Sequence, residues 1–276
     1  PIPTVDSNGV MHFASANGVQ NPRPAASFGA LDMLDTSSYS AYNAMQLALV
    51  HRVSSDLVFQ FSYTWSHCID GSYAYAGLGA NNVTSAATNP YDWAADKGNC
   101  SYDLRHNISG NLVYMLPFKG NRLKEGWQIT AIQAWHTGVP FSLGEGDQAD
   151  LGNNFDNPRP DIISGCNIYA NQNVHQWYNP ACFAPSAFGT VGNLGRNVLV
   201  GPGYVDTDLG VLKNTRINER MSLQFRAELF NLFNHANFNV PVTSVFSKST
   251  PNPTAGQITS IVGNARQTQF SLKLLF

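Results

Sequence analysis

Apolar and polar residues alternate one for one through several stretches of this chain. In 57–67 the odd positions are Leu57, Phe59, Phe61, Tyr63 and Trp65, and the even ones are Val58, Gln60, Ser62, Thr64 and Ser66. In 103–116 the parity reverses, with Leu104, Ile108, Leu112, Tyr114 and Leu116 on one side and Asp103, Arg105, Asn107, Ser109 and Asn111 on the other. Residues 221–230 set Met221, Leu223, Phe225, Ala227 and Leu229 against Ser222, Gln224, Arg226 and Glu228. The final residues set Phe270, Leu272, Leu274 and Phe276 against Gln267, Gln269, Ser271 and Lys273. A period of two marks a strand whose two faces meet different media. Charged groups such as Arg226 and Glu228 cannot sit unpaired on a dry core face, so the polar side is wet or richly hydrogen-bonded.

Length separates two kinds of β-protein. Strands of water-soluble domains run about 5–6 residues, whereas a tilted bilayer-crossing strand needs about 9–11. The pattern predicts seven long strands, at 41–53, 57–67, 103–116, 126–137, 205–215, 221–232 and 266–276, with Phe28 to Leu34 as the candidate outer end of an eighth. Segment 126–137 is the least regular: Trp127, Ile129, Ala131 and Trp135 define one face, and Gln133 interrupts it. Connections at 54–56, 117–126 and 216–220 are short, while 68–102, 138–204 and 234–265 are long and rich in Asn, Gly, Pro and Asp. Short and long alternate without a break, as periplasmic turns and outer loops do in a transmembrane barrel. The expectation is all-β: an antiparallel up-and-down transmembrane β-barrel, present as a partial arc of seven or eight strands within one domain over 1–276, with 1–40 as outer loop. With Phe276 on the periplasmic side, Tyr63 and Trp65 fall near the outer interface and Phe118 and Trp127 near the inner one, populating both aromatic belts.

Composition agrees. Charged residues make up 12% of the chain, about half the roughly 25% of an ordinary soluble domain. A net charge of −2 leaves no basic footprint for nucleic acid. No apolar run approaches the roughly 18 residues of a membrane helix. Pro1-Ile2-Pro3 opens no secretory leader, so the chain is read as a fragment of a longer outer-membrane protein. All four cysteines fall in long connections, Cys68 with Cys100 and Cys166 with Cys182. Without CxxC spacing or a partnering His pair, loop-local disulfides in an oxidising compartment are favoured over free or metal-bound thiols.

Parity assigns a lumen-facing polar wall to Gln60, Ser62, Thr64, Asp103, Arg105, Asn107, Asn111, Asp206, Asp208, Gln224, Arg226, Glu228 and Lys273. Such a wall hydrates a channel or hydrogen-bonds a plug. Tyr73, Tyr75, Trp177 and Tyr178 are candidate loop contacts for a sugar ring or a chelate, against the plainer reading that they pack the loops. Glu145, Asp147, Asp150 and Asp156 have the composition of a Ca²⁺ loop but match no EF-hand spacing, which favours a solvated loop. The glycines of Gly192 to Asn197 precede no Lys, against a phosphate loop. His67 and His106 lie by parity on the outward face near the outer rim, where a lipid hydrolase would keep its base, but Ser66 and Ser109 point to the other side. No catalytic residue, metal or cofactor is expected, and the chain is read as no enzyme.

Two outer loops this large favour an arc of a wide barrel over a small closed one. Tyr42-Asn43-Ala44-Met45-Gln46-Leu47, Phe61-Ser62-Tyr63-Thr64-Trp65-Ser66, Tyr102-Asp103-Leu104-Arg105-His106, Gly192-Asn193-Leu194-Gly195-Arg196-Asn197 and Phe225 through His235, together with the terminal Phe276, resemble the C-terminal barrel portion of TonB-dependent outer-membrane receptors. They are most similar to the Oar-like branch, common in acidobacteria, whose members carry an N-terminal carboxypeptidase-regulatory-like domain. The resemblance spans residues 27 to 276. It implies a roughly 22-stranded barrel with an N-terminal plug absent from this chain, coupled through that plug to the TonB complex for uptake of a large or scarce solute such as a siderophore or glycan. It also implies contacts with outer-membrane lipid and, through the terminal Phe270, Leu272, Leu274 and Phe276, with the barrel assembly machinery. An adhesin or a secretion-related barrel that transports nothing shares every one of these features.

Overall fold

A computed structural model of the chain describes residues 1–15, 17–28, 38–52, 56–71, 88–89, 91–145, 158–247 and 250–276. Seven long strands dominate: β1 (Ser40–Arg52), β2 (Leu57–Asp70), β3 (His106–Met115), β4 (Trp127–His136), β5 (Tyr204–Arg216), β6 (Ser222–Phe230) and β7 (Gln267–Leu275). They form one antiparallel meander in which each strand pairs with its neighbours in the chain, and Gly98–Asn99 adds a short extra rung to the end of β2. Among the described residues the ladder does not close. β1 is one edge and β7 the other. Of the candidate eighth strand, residues 29–37 lie outside the described residues.

The pairings carry one parity across the whole sheet. Phe59 is opposite Leu112, Leu112 opposite Ala131, Ala131 opposite Leu209, Leu209 opposite Leu229 and Leu229 opposite Thr268. On the other face Gln60 is opposite Asn111, and Gln224 is opposite both Asn214 and Lys273. A slip of one residue would swap every side chain between faces. Among the described residues no second layer covers the apolar face: Phe270 and Leu272 on the β7 edge keep 68% and 67% of their surface, and Met45, Leu47 and Leu49 are exposed on the opposite edge, β1. An uncovered band of this kind suits hydrocarbon, and strands of 9 to 14 residues have the length to cross it.

Gln133 belongs to the apolar face, opposite Gly110 and Thr207. It interrupts the pattern without breaking the strand, because Thr207 Oγ1 donates to its Oε1 at 2.6 Å and its own amide donates to Ala134 O at 3.0 Å. The two polar side chains satisfy each other across the ladder, which removes most of the cost of placing an amide there.

One strand start differs from the alternation. β3 begins at His106, not 103, because Asp103 turns off the ladder to accept the Cys68 amide at 2.8 Å. β2 correspondingly runs on to Asp70. At the other side of the sheet β6 ends at Phe230, and Asn231 (φ 49°) takes the left-handed conformation that Asn tolerates better than most residues. Its side chain accepts from His235 N and donates to the carbonyls of His235 and Asn264.

At the long-connection end the chain builds a separate apolar core from Phe141, Leu143, Tyr178, Phe183, Leu194, Leu199, Val245 and Phe246, with Cys182. These residues come from the connections β4–β5 and β6–β7. They form a cap continuous with the strand ends.

Candidate functional site

Two features offer chemistry: the polar face of the sheet and the cap. On the polar face the register places Gln60, Ser62, Thr64, Asn107, Asn111, Asp206, Asp208, Gln224, Arg226, Glu228 and Lys273 together. Neighbouring rungs are linked by Asn111 Nδ2 to Gln60 Oε1 (3.4 Å), Gln224 Nε2 to Asn214 Oδ1 (2.8 Å) and Arg226 Nε to Gln224 Oε1 (2.8 Å). Arg226 and Glu228 approach to 4.0 Å. Asp206, Asp208 and Glu228 lie toward the cap, and Lys273 toward the short turns. Asp208 is partly committed, since its Oδ1 accepts the Asn231 amide at 2.9 Å. The surface is a mixed-charge, hydrogen-bonding wall, though Ile132 and Leu212 also fall on it.

Asp103 and Arg105 leave this wall. The Asp103 carboxylate is buried, 3.1 Å from His67 Nδ1 and 3.5 Å from Arg105 Nη2, and Arg105 Nη2 lies 2.9 Å from His67 Nδ1. They tie the β2 end to the chain entering β3, and sequence parity placed them on the wall because alternation continues past the point where the ladder stops. Ser66 donates to Leu104 O at 2.8 Å, and Tyr63 O–H lies 2.9 Å from His106 Nδ1 with the rings stacked.

The cap is pinned by two buried arginines. Arg159 donates from Nη1 to Asp96 Oδ1 (2.8 Å) and Thr88 Oγ1 (3.1 Å), from Nη2 to Ala95 O (2.9 Å) and from Nε to Leu194 O (2.8 Å). Arg196 donates to the Asp70 carboxylate and carbonyl, to Asp96 O and to Gly98 O. Burial pulls its guanidinium below the ordinary arginine value, and these acceptors hold the charge in place. Asn197, in the left-handed region at φ 52°, exchanges amide bonds with Asn99: each side chain donates to the other's carbonyl. Gly192 lies so close to the Arg159 and Pro160 carbonyls that no Cβ fits, and Asn193 exchanges hydrogen bonds with Asp161 and Ile162. The Gly192–Asn197 run is thus a rivet between two connections.

Disulfides join Cys68 to Cys100 and Cys166 to Cys182. Glu145 is fully buried, accepting from the Ser186 amide at 2.7 Å and from the Ser186 hydroxyl, and burial pushes its carboxyl above the ordinary range despite these bonds. It packs in the cap, in place of the solvated position that its acidic, glycine-rich surroundings suggest; Asp147, Asp150 and Asp156 lie outside the described residues. Among the described residues no three His, Cys, Asp or Glu side chains gather to hold a metal.

Of the candidate loop contacts, Tyr178 is fully buried between Phe141 and Phe183, and its hydroxyl donates to Val242 O at 2.7 Å. Burial raises its phenol well above the usual value. A ring so enclosed cannot touch a ligand. Trp177 is half-buried against the same core with Nε1 donating to Val200 O at 2.8 Å. Tyr73 and Tyr75 lie outside the described residues. Phe270, Leu272 and Leu274 share the apolar face at the β7 edge, and Phe276 is almost wholly exposed beyond it.

A family model described as an outer membrane beta barrel domain matches residues 3–269. No curated protein and no solved structure matches the chain.

Proposed function

Because the chain belongs to the family of outer-membrane β-barrel domains, we propose that it forms part of the wall of an energy-coupled importer, a TonB-dependent receptor of the Oar-like kind. One observation carries this reading: seven neighbouring strands share a face that is polar along most of its width, with Ala44, Ala48 and Val50 of β1, Ile132 of β4 and Leu212 of β5 among its apolar members, yet among the described residues the ladder stays unpaired at both β1 and β7. Unpaired strand edges are not tolerated in hydrocarbon. Further strands must therefore complete the wall, and a barrel much wider than seven strands has a lumen that needs a plug. Gln60, Asn111, Gln224, Arg226, Glu228 and Lys273 then face water or that plug, the apolar face meets outer-membrane lipid, and the exposed β7 edge is offered to the assembly machinery. The riveted cap gives the outer end a shaped surface for the solute. No catalytic role is assigned.

A strain lacking the full-length protein, given iron chelates and glycans one at a time, should lose uptake of one class, measured with labelled solute. Depleting TonB in the parent strain should abolish the same uptake. Uptake that survives TonB depletion, or no lost uptake alongside lost surface adhesion or secretion, would replace the importer with a barrel of the adhesive or secretory kind.

A further inference from the structure

Charge is divided unevenly between the two ends of the sheet. At the short-turn end, the 117–126 turn carries Lys119, Arg122 and Lys124 against Glu125, and β5 ends on Arg216 before a turn that carries Arg220 against Glu219. Arg52 and Lys213 stand beside them, with Asp56 the one further acid. This end is thus clearly basic although the chain as a whole is at −2. The excess positive charge is concentrated where the sheet meets one leaflet.

The 117–126 turn is also built. Asn121 Oδ1 accepts the amides of Leu123 and Lys124, and Glu125 Oε1 accepts the Gly120 amide at 2.8 Å, so the one local carboxylate is engaged with backbone. Among the described residues Lys119, Arg122 and Lys124 lie within ion-pair distance of no carboxylate. Trp127 Nε1 donates to Leu123 O at 3.0 Å, which clips the turn onto the start of β4. Lys213 sits on the apolar face opposite Trp127, and its ammonium reaches down to the Arg122 and Glu125 carbonyls, 5.6 Å from the Trp127 ring centre. A buried lysine is satisfied there by the turn itself.

These bonds leave a groove of about 520 Å³ lined by Pro117, Phe118, Lys119, Leu123, Lys124 and Trp127. Its floor is apolar, and Phe118 and Leu123 keep 54% and 80% of their surface. Trp127 belongs both to the groove and to the apolar face of the sheet, so the groove continues the membrane-contacting band at its lower margin. Two unpaired ammonium groups border it. Apolar floor, basic rim and continuity with the band together fit one occupant, an acidic phospholipid of the adjoining leaflet.

We propose that this groove is a binding site for an anionic glycerophospholipid, with its phosphate between Lys119 and Lys124 and an acyl chain lying along Phe118, Leu123 and Trp127. The site anchors the short-turn end of the wall in its leaflet. It rests on the outer-membrane location of the chain and is independent of which solute the barrel transports.

The full-length protein, reconstituted in phosphatidylcholine vesicles containing one-quarter phosphatidylglycerol and then extracted in mild detergent, should retain phosphatidylglycerol in clear excess over its share of the bilayer, as read by native mass spectrometry. Lys119→Gln with Lys124→Gln should reduce that preference roughly ten- to thirtyfold, the size expected when two lysine charges are removed from an anionic surface. Lys97→Gln at the opposite end should leave it unchanged. Phe118→Ser should weaken retention of both lipids, and added inorganic phosphate should displace neither. Heat-modified mobility of each variant on a gel confirms that the barrel has folded. No preference in the parent protein, an undiminished preference in the double variant, or complete displacement by free phosphate would each overturn the proposal.

Discussion

Replacing Leu112 with arginine places a guanidinium on the face that the register assigns to lipid, between Phe59 on β2 and Ala131 on β4. The size of the effect follows from depth. β3 runs His106–Met115, so Leu112 stands one to two residues from its centre. At a rise of about 3.4 Å per residue and a tilt of about 40°, that is roughly 4 Å from the bilayer midplane, well inside an apolar band about 25 Å tall. The full midplane penalty then applies, about 2–4 kcal/mol, or roughly thirty- to nine-hundredfold in the folding equilibrium. The neighbouring Asn111→Arg makes the same chemical change on the other face, opposite Gln60, where water or polar groups receive the charge; its cost should stay under about 1 kcal/mol. Both variants of the full-length protein can be refolded into vesicles and titrated with urea, with heat-modified mobility as the measure of the folded fraction. Equal losses, or a larger loss for Asn111→Arg, would refute the assignment of lipid to the Leu112 side.

Three further outcomes are expected. Thr207→Val should cost about 1–3 kcal/mol by leaving the Gln133 amide without its partner on the apolar face, whereas Thr207→Val with Gln133→Leu should be close to neutral in the same titration; an additive double variant would count against the pairing. Arg196→Met leaves Asp70 without its buried partner and removes the guanidinium donor from three carbonyls, which should loosen the cap by about 3–5 kcal/mol and expose the connections to protease while the strands stay resistant. Burial raises the Glu145 carboxyl above its ordinary value of 4.5, so the folded cap binds that proton more tightly than the unfolded chain. The contribution of Glu145 to cap stability should be fully present below pH 4.5 and be lost as pH rises through the raised value, so the difference in protease resistance between the parent and Glu145→Gln should change with pH in that direction.

The seven strands and their parity were legible because a sheet with one medium on each side imposes a two-residue period on every segment that crosses it. Even Gln133, which breaks the pattern, belongs where its neighbours put it, and the exception is explained by Thr207, more than seventy positions away. The period cannot say where a ladder stops. Asp103 keeps the right parity but has left the sheet to cap Cys68. The cap was least legible. Arg196 reaches Asp70 across 126 positions and Arg159 reaches Asp96 across 63, and pairings so distant leave no local signal. Asn231 and Asn234 are both in the left-handed region, and Asn234 Oδ1 accepts the Arg266 amide at 3.0 Å. Their contribution is to geometry at a loop start, which a run of asparagines announces only as a turn. Tyr178 shows the limit for aromatics, since the same residue type serves a core and a binding surface equally well.

Because, among the described residues, every long strand bonds only to the strands next to it along the chain, the wall can be laid down hairpin by hairpin with one growing margin exposed at a time. Lengthening a connection between such neighbours adds only slowly to the entropy of bringing its ends together. Outer segments can therefore lengthen, shorten or change sequence over evolutionary time while insertion proceeds by the same route, and variety at the outer end need not be won at the expense of biogenesis.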